Sequence, residues 1–329
     1  MRRGGILVLS LIVLALLAGV WLWNDRVDLA SLDFPMAQTG TTDGGAVTAT
    51  WLGVTTLLFD DGETRLLTDG FFSRPGVIDL ALDRSVSPDV ENIARALRKA
   101  RISSLAAIMT VHSHFDHAMD TGEVAKRTGA IVLGSASTAN VARGAGLPED
   151  RIVDWTDGGS RSFGRFTVTF IRSRHMPLDA EGNPPFPGTI DAPLVPPAPV
   201  SAWREGGSYS IVIGHPRGTA LVQGSAGYVE GALDGARADV VLLGIAGLAR
   251  LGRDYTGEYW REIVARTGAR RVLPIHHDDF TRPYGEVLPF PRVVDDLETS
   301  VRWLADLAAR RRDPVAIELL PWGVPVRLF

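Results

Sequence analysis

Ile6 to Trp23 is an unbroken run of 18 residues with no charge and with Ser10 as its one polar side chain. As a helix rising 1.5 Å per residue it spans roughly 27 Å, close to the ~30 Å thickness of bilayer hydrocarbon. Arg2 and Arg3 precede the run, and Asn24, Asp25, Arg26 and Asp28 follow it. The preference of basic flanks for the cytoplasmic side predicts a single-pass anchor over residues 1–24, its N-terminus cytoplasmic and the rest extracytoplasmic, periplasmic in a bacterium. Trp21 and Trp23 fall at the outer interface. A cleaved signal peptide is the competing reading and a buried core helix a third. The signal peptide asks for a shorter apolar core followed by a small-x-small site, whereas Ala15, Ala18 and Gly19 lie inside the run. Residues 25–46 read as a linker, because Thr39 to Gly45 contains only Thr, Gly and Asp, without periodicity.

From residue 47 to 329 the pattern is that of a globular domain. Val47 to Asp60 and Thr64 to Asp69 predict a hairpin turning at Asp61-Gly62. Ser87-Pro88-Asp89 opens a helix with Val90, Ile93, Ala94 and Leu97 on one face. A buried strand over Leu105 to Val111, a helix through Glu123 to Arg127, a strand over Ile131 to Leu133 and a helix ending near Gly144 follow. Strands Phe166 to Ser173 and Tyr209 to Gly214 flank a stretch that holds eight of the 20 prolines, between Pro177 and Pro199, and so reads as loop. Thr219 to Gln223, Val240 to Ile245 and Arg271 to Ile275 are strands, Gly257 to Arg266 a helix. The last helix is predicted from about Arg292 to Arg312, with Val294, Leu297, Val301, Leu304 and Ala308 on its apolar face and Arg310 to Arg312 in its last turn. Two strand-rich halves that each carry helices, without sequence repeat, predict an α/β fold of four layers, αββα.

Composition narrows the chemistry. Of 329 residues 45% are hydrophobic and 22% charged, enough to build a sizeable core, and 34 Lys+Arg against 38 Asp+Glu leave a net charge of −4. That balance provides no field for a polyanion, so nucleic acid is not an expected partner. The absence of cysteine excludes disulfides, thiolate metal sites and a thiol nucleophile.

The chemistry gathers at the end of one predicted strand, Thr110-Val111-His112-Ser113-His114-Phe115-Asp116-His117. Strand alternation puts His112 and His114 on one face, and Asp116 and His117 fall where the strand gives way to loop and helix. Three of the chain's seven histidines within six residues, with an acid among them, are poorly explained by packing. Imidazole and carboxylate suit zinc or a similar first-row ion.

This segment resembles the H-x-H-x-D-H signature of the metallo-β-lactamase superfamily, matched in full by His112, His114, Asp116 and His117, and the resemblance extends over about residues 47 to 329. It implies the four-layered αββα metallo-β-lactamase sandwich, with one metal shared by His112, His114 and His175, and a second by Asp116, His117 and a C-terminal histidine. That last ligand is expected at His276, with the adjacent His277 at a variable position. His215 matches no ligand position and reads as a turn residue. Asp69 resembles an early family Asp that hydrogen-bonds a ligand histidine, though it equally suits a turn cap, and Asp278 or Asp279 is a candidate for orienting His276. The family's metal-bridging Asp is replaced by Ser225, which also suits a plain turn. A hydroxyl brings no bridging charge, so the cofactor expected is one or two Zn2+ with the second held more weakly; Fe or Mn would also suit these donors.

The function expected is hydrolysis of an ester, lactone or phosphodiester by a metal-activated hydroxide that Asp116 orients or deprotonates. Lactonase-like and phospholipase D-like members are nearest in appearance. The substrate is then a small or lipid-like molecule, under an apolar wall of Phe186, Trp203 and Tyr209. A mononuclear-iron oxidoreductase on the same fold and a non-catalytic anchored metal-binding protein are the alternatives.

Overall fold

The computed structural model describes residues 2–32, 34–155, 159–179, 181–310 and 314–329, and of residues 2–9 the backbone helix alone. Among the described residues, seven strands form one mixed sheet in the order Pro325–Arg327, Thr48–Trp51, Leu57–Asp60, Arg65–Thr68, Ala107–Met109, Ile131–Gly134, Ile152–Asp154. Neighbours are antiparallel up to Arg65–Thr68 and parallel beyond it. A second seven-stranded sheet runs Ala316–Ile317, Arg271–Ile275, Val240–Gly244, Gly218–Gln223, Ser208–His215, Phe166–Ser173, Ser160–Phe163. Here the first four strands are parallel and the rest antiparallel. Pro274 is tolerated in this sheet because Ala316–Ile317 pairs only with Arg271 and Val272, so no neighbour on that side asks for the missing N–H.

The two sheets face each other across a core of Trp51, Phe59, Phe166, Phe170, Ile211, Val222, Leu242 and Leu273. Each such side chain, fully buried, is worth roughly 1.5–3 kcal/mol, so the facing sheet surfaces dominate what holds the layers together. Helices Val90–Lys99, Thr121–Thr128 and Ala136–Gly144 cover the outer face of the first sheet through Ile93, Leu97, Val124 and Ala142. Helices Arg253–Trp260 and Leu297–Ala309 cover the second through Tyr259, Trp260, Val301 and Leu304. The αββα order expected from the sequence is therefore the order of the layers.

Several boundaries differ from expectation. Val47 to Asp60 is two strands, because Gly53 (φ 103°) and Val54 (φ 49°) turn left-handed between them. The last helix starts at Leu297: Asp296 caps it by accepting from Thr299 N at 3.3 Å, leaving Val294 outside and exposed. Its expected end at Arg311 and Arg312 lies outside the described residues. The linker, of which Asp33 also lies outside them, is bound along the domain, with Val27 and Ala37 each 3% exposed and bridges joining Met36 to Leu319 and Thr39 to Val326. Its Thr/Gly/Asp composition predicted a free tether, but two apolar side chains and backbone pairing suffice to seat it.

The apolar N-terminal run lies in a helix, Arg2–Asn24. From Leu11 to Trp23 its large side chains are exposed, Trp21 by 67%. Among the residues whose side chains are described, which in this helix begin at Ser10, no helix is long and apolar enough to cross a membrane.

Candidate metal centre

Loops at the ends of five strands converge on one point: those following Thr68, Met109, Ser173, Gln223 and Ile275. His112 is 1% exposed, His114 3%, and His117 not at all. The backbone that carries them is gripped from below by Asp69, whose own φ is +55° and whose Oδ1 accepts from Val111 N at 2.9 Å. His114 then starts the short helix Phe115–Ala118, which brings Asp116 and His117 back toward His112.

Donor atoms of His112, His114 and His175 lie within 4.8 Å of one another, and so do those of His112, Asp116 and His117. The surrounding hydrogen bonds say which ring nitrogen holds a lone pair. A carbonyl oxygen only accepts, so His114 Nε2, 2.8 Å from Pro185 O, is the protonated nitrogen and Nδ1 is free to ligate. That Nδ1 is 3.1 Å from His112 Nε2. His175 donates from Nδ1 to Met176 O at 2.8 Å, which leaves its Nε2 unprotonated. His117 donates from Nδ1 to Asp69 Oδ2 at 2.8 Å, and its Nε2 is buried without any hydrogen-bond partner. A buried lone pair that nothing satisfies costs roughly 1–3 kcal/mol. The tautomers and this orphaned nitrogen fit a cation of the first-row kind, with carbonyl and carboxylate partners fixing the rings from behind.

His276 is turned into the same place. Its Nε2 is 3.5 Å from Asp116 Oδ2, and Asp116 is in turn 3.4 Å from His117 Nε2. A left-handed φ of +56° at His276 swings the next side chain away, so His277 packs its ring 4.8 Å from Trp51. Neither acid suspected of orienting His276 reaches its ring, whose Nδ1 has no partner. Asp278 instead binds Val54 N (2.7 Å) and Arg74 (2.9 Å), and Val54 O accepts from His276 N at 3.0 Å. Asp279 pairs with Arg26.

The charges agree with a cation site. Burial, then the neighbouring imidazoles, push His112 far below its ordinary pKa, and burial takes His114 down to about 4 and His175 to about 3. All three rings are neutral near pH 7, as metal ligation requires. Burial also opposes protonation of His117, but Asp116 and Asp69 outweigh it and raise its pKa. For Asp116, burial is outweighed by His117, His276 and His114, which hold the carboxylate ionised.

Ser225 borders the cavity above the site, and its Oγ accepts from Met176 N at 3.0 Å. It thereby fixes the residue whose carbonyl orients His175. His215 lies elsewhere, at the turn into Gly218–Gln223, 3.4 Å from Asp61 and 5.1 Å from the Phe166 ring. The cavity holds about 280 Å3 and is walled by Leu80, Phe115, Met176, Phe186, Val200 and Phe280. Of the expected wall only Phe186 is present. Trp203 is fully buried beside Phe71 and Phe115, and Tyr209 is drawn into the inter-sheet core against Phe170, each having more apolar surface to bury there than at the rim.

Sequence reasoning missed Thr55, which hydrogen-bonds Asp69 and lies 2.8 Å from His117 Nδ1. It also missed Asp120, which accepts from Phe72 N and Ser73 N, both at 2.7 Å. Burial raises the Asp120 pKa to about 6 against those bonds. Met176 and Phe280 had a usable signal, since each stands next to or near an expected ligand; Thr55 had none.

No family model matches the chain. It is 29% identical over 126 residues to a UPF0173 metal-dependent hydrolase of Rhizobium etli, a match covering 38% of this chain and 47% of the relative. The chain thus spans about half the length of the curated relatives it matches. In fold it is similar to a possible metal-dependent hydrolase of Veillonella parvula, with 13% identity, a TM-score of 0.53, and 86% of this chain and 100% of that one covered. It is similar also to CmlA, a diiron β-hydroxylase of Streptomyces venezuelae, with 14% identity, a TM-score of 0.53, and 86% and 54% covered. With its histidine-aspartate motif seated beyond a strand end between two mixed sheets, the chain shares the fold of these proteins and is similar, over 38% of its length, to metal-dependent hydrolases.

Proposed function

We propose that the protein is a metal-dependent hydrolase, with zinc as the metal, that cleaves a carboxylic ester, lactone or phosphodiester. The observation that carries this is the convergence of two donor groups, His112/His114/His175 and His112/Asp116/His117, at the floor of an apolar cavity. His112, His114 and His175, with Asp116 and His117 beside them, would hold a divalent cation there, which would supply a water of pKa about 7 and polarise the oxygen under attack. Asp116, ionised and facing the cavity, accepts the hydrogen bond of the attacking water and takes its proton. The water oxygen joins the carbonyl carbon or phosphorus, the bond to the leaving oxygen breaks, and that oxygen departs with a proton returned from Asp116. Leu80, Phe186 and Phe280 exclude bulk water. His276, 3.5 Å from Asp116, would complete the second donor set, and that set would hold its cation more weakly because Ser225 brings no charge to it.

The helix Arg2–Asn24 is proposed as the membrane anchor, with the domain on the extracytoplasmic side. The length of the uncharged run from Ile6 to Trp23, its basic flank, and the exposure of Leu11 to Trp23 support that reading. Metal analysis of the purified full-length protein, with turnover of an ester, lactone and phosphodiester panel before and after chelation, tests the activity. Iron with oxygen consumption and no hydrolysis would replace hydrolase with oxidoreductase. Bound metal without any turnover would leave a binding protein.

A further inference from the structure

The metal cavity does not end at Phe280. A groove of about 430 Å3 shares Leu80, Met176, Ala246 and Phe280 with it and continues past Phe290 and Val294 to Trp23, the last aromatic of the apolar N-terminal run. An apolar path thus leads from the metal ligands to the end of that helix. The groove's lining includes exposed apolar side chains, Val77 and Val294 at 39% and Trp23 at 40%, and the chain neighbours Ile78 and Val293 are exposed by 59% and 62%, with Leu82 on the same short segment exposed by 62%.

The helix end is fixed beside this groove. Arg26 pairs with Asp279, a carboxylate only 1% exposed, at 2.7 Å, and also donates to Pro289 O. Arg292 N donates to Asp25 O at 2.8 Å. These bonds join the residues just beyond Trp23 to the segment following His276, so the anchor cannot swing away from the cavity mouth.

Resting on the hydrolase and anchor readings above, we infer that the cavity mouth lies at the bilayer surface and that the substrate is an amphiphile whose single long hydrocarbon chain enters from the membrane. The chain lies in the groove between Trp23 and Phe280 while the ester or phosphodiester reaches the metals. Ile78, Leu82 and Val293 sit among the lipid headgroups and upper acyl chains.

The full-length protein in phosphatidylcholine vesicles tests this in two ways. Phosphatidylcholine with a diazirine in its acyl chain, photolysed in these vesicles, is expected to label Leu80, Met176 or Phe280; adducts confined to residues 6–23 would overturn the inference whatever the activity. With 4-nitrophenyl carboxylates and 4-nitrophenyl alkyl phosphodiesters of increasing chain length, kcat/KM should rise about threefold to fourfold per CH2 until the groove is filled. Hydrolysis independent of chain length also overturns it. Ile78→Glu with Val293→Glu should slow long-chain turnover in vesicles at least tenfold and leave 4-nitrophenyl acetate turnover unchanged; equal effects on both substrates count against the membrane-facing mouth. Groove adducts without hydrolysis of any compound would retain the lipid site and refute the hydrolase reading instead.

Discussion

Asp69→Asn removes one charge and almost no volume from the base of the metal centre. The aspartate accepts from Val111 N through Oδ1 and from His117 Nδ1 through Oδ2, where the Thr55 hydroxyl also binds. Asparagine has one acceptor oxygen and an NH2 group that only donates. With its oxygen kept on Val111, the NH2 faces His117 Nδ1–H, and the ring escapes only by moving its hydrogen to Nε2, the nitrogen now available to a metal. Loss of such a partner typically weakens metal binding 10–100-fold, about 1.4–2.7 kcal/mol. The alternative orientation leaves Val111 N–H facing a donor, at about 1–3 kcal/mol of folding stability. Chelator-competition titration should find the first metal, on His112, His114 and His175, nearly unaffected and the second weakened by that factor. Thermal unfolding of the metal-free variant should show the smaller stability loss. Two sites of unchanged affinity would show that Asp69 does not set the His117 tautomer, and loss concentrated in the first site would show that the ligand sets are wrongly divided.

Three further outcomes follow from the same geometry. His112→Ala, His114→Ala or His175→Ala should each remove a tightly held metal and nearly all turnover, whereas His215→Ala, paired with Asp61 away from the cavity, should keep its metal content by mass spectrometry. Ser225→Asp can keep the Met176 N bond with one oxygen and present the other to the cavity, so metal titration should show the second site tightened at least tenfold. For Asp295, burial raises the carboxyl from 3.8 to about 6, and its Oδ1 has no partner. The folded protein therefore holds a proton there that the unfolded chain releases, and stability falls as pH rises from about 4 to 6. Asp295→Asn should stabilise the metal-free protein at pH 8 by on the order of 1–3 kcal/mol in denaturant titrations, with the gain gone at pH 4.

The motif was legible because its information is local. His112, His114, Asp116 and His117 occupy six residues; the strand expected to reach Val111 stops at Met109, but the short loop that follows and the one helical turn Phe115–Ala118 are enough to bring them together. Layer order was legible for a similar reason, since the apolar faces of Val90–Lys99 and Leu297–Ala309 can be read from periodicity alone. What stayed hidden depends on residues distant in sequence. Thr55 meets His117 across 62 positions, and the partner that selects the His114 tautomer is a backbone carbonyl, Pro185 O, which no residue type announces. Trp203 misled because an aromatic in a loop suggests a wall, while burial at 0% exposure served it better.

The two donor sets are held by different kinds of support, and this has a consequence for how substrate and metal communicate. His117 is oriented by a carboxylate on the rigid end of strand Arg65–Thr68, so its set responds mainly to charge. His114 is oriented by Pro185 O, in the proline-rich loop that also carries Phe186 to the cavity wall. That loop is tied back to the motif: Glu205 N donates to Phe186 O at 3.0 Å, Ser113 N to Glu205 O at 3.0 Å, and Ser113 Oγ to Arg204 O at 2.8 Å. Displacement of Phe186 by a bulky substrate must therefore strain the bond that fixes His114, and a metal on His114 must in turn stiffen the wall. The apolar wall and the His114 ring thus form one mechanical unit, whereas His117, held by Asp69, stands outside it.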